Sequence, residues 1–178
     1  MLKYSIPDQA KITHHSDEEI QFEAIAGQAG VTDDGVLISP ETIKASSRWL
    51  LGRPVTLGAV GSPAGASNAV GQVDSVEVQE GGELKVAGTL WPQKLSRQQL
   101  QSMEGAERPL KAQAGFFLMA MPESGTWEGK SYKEKATGLQ YDHLSLVLPE
   151  MKGHSAPTRE DELRELERSW EARLGRKC

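Results

Sequence analysis

VGQVDSVEVQEGGELKVAGTLW, residues 70–91, sets β-branched residues on either side of a Gly81-Gly82 turn, with Leu84, Val86, Gly88 and Leu90 following at period two. Alternation of this kind around paired glycines specifies a β-hairpin with one buried face. Working outward, Ile20–Ala26 alternates in the same way and Val36–Ile38 and Arg53–Leu57 are short apolar runs, so three further strands are expected before the hairpin. Between them, Ser39 is placed to cap a helix, Pro40 suits its first turn and Gly52 its end, and Ile43, Trp49 and Leu50 are expected to turn inward. Residues 58–69, GAVGSPAGASNA, are small and turn-forming and read as a loop.

Beyond the hairpin, Gln93–Gly105 carries a weak apolar stripe of Leu95, Leu100 and Met103 and reads as a helix. Leu110–Met121 is mostly apolar and reads as a buried strand, followed by the polar stretch 122–135. The strand LQYDHLSLVL, residues 139–148, is expected to put Tyr141, His143, Ser145 and Val147 on one face and Leu144, Leu146 and Leu148 on the other. After a linker near Gly153–Pro157, Leu163, Leu166, Trp170 and Leu174 recur at spacings of three and four, which predicts an amphipathic helix. The expected architecture is α+β: a mostly antiparallel, barrel-like sheet with a few short helices and a C-terminal amphipathic helix. The expected division is residues 1–152 for the domain and 153–178 for linker and helix.

Composition narrows the function classes. A chain of 178 residues with 38% apolar and 25% charged residues can bury one core. Its net charge of −5 offers no global field to attract a polyanion, so nucleic acid is not an expected partner. No apolar run approaches the roughly 20 residues of a spanning helix, and no signal-like stretch opens the sequence, so no membrane role is expected either. Cys178 is the only cysteine, which excludes an internal disulfide and fits a reducing cytoplasm.

Few side chains carry recognisable chemistry. Residues 125–131, GTWEGKS, resemble a phosphate loop but are one residue short and lead into strand-like sequence rather than a helix. His14 and His15 are adjacent, so on an extended segment they point apart and cannot easily share an ion; a solvated polar loop is the expected setting. His154 falls in the linker. No metal or cofactor is expected. His143 stands out because it lies inside an apolar strand, where burial demands a hydrogen-bond partner.

Read together, RPVTLGAV with the following VGQVDSVEV, then LKAQAGFF, then YDHLSLVL resemble, in order and approximate spacing, the phage prohead proteases. These are capsid-maturation serine peptidases with a fold like that of herpesvirus assemblin, and the resemblance runs from about Ile20 to Pro149. It implies a serine nucleophile, a histidine base and a third residue that orients the base, because a serine hydroxyl attacks only when an imidazole of fixed tautomer takes its proton. The third position falls on His143. The family's base position, in the Gly-His that follows the first strand, falls on Ala59; its serine position, two residues before the glycine of the second strand, falls on Gln113. Neither alanine nor an amide can fill those roles.

The resemblance therefore implies a head-morphogenesis protein of a phage or prophage, acting in the host cytoplasm within an assembling capsid. With the site degenerate, it implies action by binding, as scaffold, chaperone or minor capsid component. The implied partners are the major capsid protein or scaffold protein, with self-association possible through the C-terminal helix. The alternative is an active serine endopeptidase using a displaced nucleophile such as Ser145. The alignment further implies that Ala59, Gln113 and His143 converge on adjacent strands, rimmed by the loop from Gly58 to Ala69.

Overall fold

A computed structural model of the chain describes residues 10–58, 68–104 and 110–148. The C-terminal helix expected beyond the linker lies outside them, as does Ala59. The described residues form nine strands: β1 Ala10–His15, β2 Ile20–Gly27, β3 Gly30–Val31, β4 Val36–Ile38, β5 Pro54–Leu57, β6 Gly71–Val78, β7 Leu84–Leu90, β8 Lys111–Trp127 and β9 Lys130–Val147. Two α-helices, α1 Pro40–Ser46 and α2 Arg97–Glu104, complete them with 3-10 turns at Ser47–Leu50 and Pro92–Lys94.

All strands belong to one sheet ordered β1-β2-β7-β6-β5-β9-β4-β3, with β8 paired to β9. Pairing is antiparallel except where β9 meets β4 and β5. The sheet curls into a half-barrel, and an isolated antiparallel bridge between Ala10 and Leu110 ties β1 to the approach of β8. The expected hairpin of residues 70–91 is β6–β7, running from Gly71 opposite Leu90 to Val78 opposite Leu84. Phe22, Leu84, Leu90, Val55, Leu144 and Leu146 are buried at its core, with Ile43 and Leu50 from the helical segment.

Helix α1 begins as its sequence specifies: the Ser39 hydroxyl accepts from Thr42 N at 3.3 Å, and Pro40 occupies the first turn. Its other contacts fill a gap in the sheet. On one side β9 is flanked first by β4 at residues 134–135 and then by β5 at residues 144–146. Between these stretches, Thr42 Oγ1 donates to Ala136 O at 3.0 Å and Ser46 Oγ accepts from Leu139 N at 3.0 Å. Helix hydroxyls thus satisfy buried strand groups that lack a neighbouring strand.

Several expectations are corrected. The helix ends at Ser46, and the tighter turn that follows buries Leu50 but leaves Trp49 52% exposed instead of inward. His14 and His15 belong to β1 rather than a loop, pairing with Gln21 and Ile20 across a bulge. The second helix starts at Arg97, after a capping box in which Gln99 N donates to Ser96 Oγ and Ser96 N to Gln99 Oε1. Through the polar stretch 122–135 β8 and β9 continue to a tight turn at Glu128 and Gly129, both at positive φ. Among the described strands β8 pairs only with β9, and on its outward face Phe117, Met119 and Met121 are about half exposed rather than buried.

Candidate functional site

His143, Ser145, Gln113 and Thr56 come together on one face where β8, β9 and β5 run side by side. Gln113 lies opposite Ser145 and Gly115 opposite His143 in the β8–β9 ladder, while Thr56 is level with Ser145 on the β5 side. Alternation then puts Thr56, Ser145, Gln113 and His143 on one face and Val55, Leu144 and Ala114 on the core face. Gln113 and His143 are diagonal neighbours, on the order of 7–8 Å apart along such a ladder. Ala59 follows Gly58, whose N donates to Leu146 O at 2.9 Å, but Ala59 itself is outside the described residues.

A bulge shapes the histidine's surroundings. Phe116 pairs with Tyr141 and Gly115 with His143, so Asp142 is an extra residue on β9. One consequence is that Tyr141 does not share the face of His143, as strict alternation predicts. It lies with Ala114 and Phe116 on the core side, its ring edge-on to Phe116 at 5.9 Å. Another concerns Asp142 itself, whose Oδ2 lies 2.8 Å from His143 Nδ1, although adjacent residues of a regular strand point apart. With His143 only 2% exposed, this contact supplies the partner that its burial requires. An ionised carboxylate can only accept, so Nδ1 is the donor of this contact.

Ser145, the displaced-nucleophile candidate, is engaged in structure. Its Oγ donates to the Gly58 carbonyl and accepts from Thr56 Oγ1 at 3.3 Å, and the residue is 1% exposed. These bonds tie Thr56 and Gly58 to β9 and leave the hydroxyl facing a carbonyl. Gly115 adds no side chain beside His143. A concavity of about 650 Å³ lies elsewhere, on the outer side of β1, β2, β6 and β7 near Lys11, Glu23, Glu77 and Lys85. Among the described residues there is no cluster of three or more metal-capable side chains and no helix long and apolar enough to cross a membrane.

No family model matches the sequence, and no curated protein does either. Among solved structures, the fold is similar to that of the bacteriophage T4 capsid assembly protease, gp21. The TM-score is 0.50 at 11% sequence identity, and the match covers 82% of this chain and 94% of that one. The chain has a phage capsid-protease-like fold. At this identity the likeness concerns the course of the backbone, and it says nothing of the side chains at Gln113 or His143.

Composition and periodicity alone did not reveal Asp142 as the partner of His143. The signal available was a carboxylate next to a buried histidine, and only the bulge converts that adjacency into contact.

Proposed function

We propose that the protein serves phage or prophage head morphogenesis as a catalytically inactive relative of the capsid-assembly proteases. It binds an extended segment of a capsid or scaffold protein without cutting it. The observation that carries this reading is Gln113, an amide on β8 beside the buried His143 and opposite Ser145, at the position where the family resemblance requires a serine hydroxyl. Ala59 at the base position removes the second requirement. Sheet geometry supports retained binding, since strands can hold an extended peptide through main-chain hydrogen bonds after the chemistry is lost.

The test is direct. The purified chain is treated with a fluorophosphonate probe and incubated with phage capsid and scaffold proteins. No covalent labelling, no self-cleavage and a saturable complex are expected. Labelling or cleavage that disappears in His143→Ala would instead establish an active endopeptidase.

A further inference from the structure

The 3-10 turn after α1 carries an exposed apolar pair within a cluster of positive charge. Trp49 and Leu51 are 52% and 55% exposed, although the Leu50 between them is fully buried. Arg48 stacks on the Trp49 ring, its guanidinium carbon 5.1 Å from the ring centroid, and Arg53 Nε donates to Trp49 O at 2.9 Å. Lys44, one helical turn before Arg48, is exposed on the same segment. Asp74, the acidic residue that follows Val73 beside this turn, directs its two carboxylate oxygens to Gln72 and Thr89 at 2.9 and 2.6 Å. An exposed tryptophan framed by arginines has the composition of an interface anchor.

The sequence after the described residues supplies a match. Glu160–Glu167, EDELRELE, contains five carboxylates and one arginine, with Leu163 and Leu166 three apart and Trp170 four further on. Reach is sufficient. In the parallel β5–β9 pair Val55 is level with Leu144, which puts Arg53 about six residues, roughly 20 Å, back along β9 from Leu148. The nine residues 149–157 span up to about 30 Å when extended.

We infer that the acidic, leucine-bearing segment 158–170 docks in cis on the Trp49/Leu51 patch, its carboxylates facing Lys44, Arg48 and Arg53. Opposite charge and apolar stripe coincide on both sides, whereas on the Phe117/Met119/Met121 face Lys135, opposite Met121, is already paired with Glu123 at 3.3 Å. This docking is independent of any catalytic reading of Gln113 and His143.

Because Cys178 is the only cysteine, Cys178→Ser with Ser169→Cys gives the full chain a single attachment point for a nitroxide. The indole N–H signals of the four tryptophans, identified by Trp→Phe exchange, then report proximity. The Trp49 signal is expected to lose most of its intensity while that of Trp127, at the tip of the arm, is retained. Arg48→Glu with Arg53→Glu restores the Trp49 signal, and adding Glu162→Arg and Glu165→Arg abolishes it again. An unchanged Trp49 signal, quenching of Trp127 in its place, or quenching insensitive to the charge reversals overturns the proposal. So does quenching seen only between a nitroxide-bearing chain and a separate isotope-labelled chain, which would assign the patch to a second copy.

Discussion

At the scale of single residues, two positions in the core set testable limits. Gly88 on β7 faces Phe22, and a Cβ there would meet Gln72 O at 2.4 Å and the Phe22 ring at 2.7 Å. Since Gln72 O is backbone and Phe22 is fully buried, neither can give way cheaply. Gly88→Ala is expected to destabilise the fold by about 1–3 kcal/mol in urea unfolding, as overpacking does in close-packed cores. Tyr141, turned into the core by the Asp142 bulge, has its phenol pushed above its ordinary value by burial. The folded state therefore holds the proton after the unfolded chain has released it. Stability from this group is fully present below about pH 10 and falls as pH rises beyond it, by up to about 1.4 kcal/mol per pH unit. Tyr141→Phe keeps the ring against Phe116 and is expected to flatten that alkaline decline, measured as the urea midpoint between pH 9 and 11.

At the scale of elements, α1 acts as a substitute for a strand. Ser46→Ala orphans the buried Leu139 N–H, an expected cost of about 1–3 kcal/mol, with faster hydrogen exchange at that amide. Unchanged exchange at Leu139 would reject this role. The same element shows what the sequence could and could not reveal. Ser39 and Pro40 announce the helix start because capping is local chemistry. The role of Thr42 and Ser46 is not local: their hydroxyls fill a gap beside β9 that exists only once β4 and β5 are in place. Likewise Glu128-Gly129 reads locally as a turn, but how far the paired strands extend on either side of it follows only from the pairing of Trp127 with Lys130. Strict alternation placed His143, Ser145, Leu144 and Leu146 on their faces correctly. It failed at Tyr141 because one bulged residue reverses every face before it.

At the scale of the whole molecule, the candidate site is a product of topology. Gln113 and His143 are thirty positions apart in sequence yet become diagonal neighbours because β8 and β9 form one hairpin. Gly58 reaches them from the first half of the chain because β5 joins β9 in parallel and Ser145 anchors its carbonyl. If the framework of a hydrolytic centre survives and only two side chains are lost, restoring them should restore chemistry. Gln113→Ser alone is expected to remain unreactive toward a fluorophosphonate, because a hydroxyl without a neighbouring base is a weak nucleophile. Gln113→Ser combined with Ala59→His is expected to react covalently, with His143, oriented by Asp142, fixing the tautomer of the new imidazole. Replacing His143 by Ala in that double variant should then lower the labelling rate substantially without unfolding the protein, as judged by its circular dichroism. A well-folded double variant that stays inert would mean that position 59 does not meet Gln113 and His143, and the kinship of the site, as distinct from that of the fold, would fall.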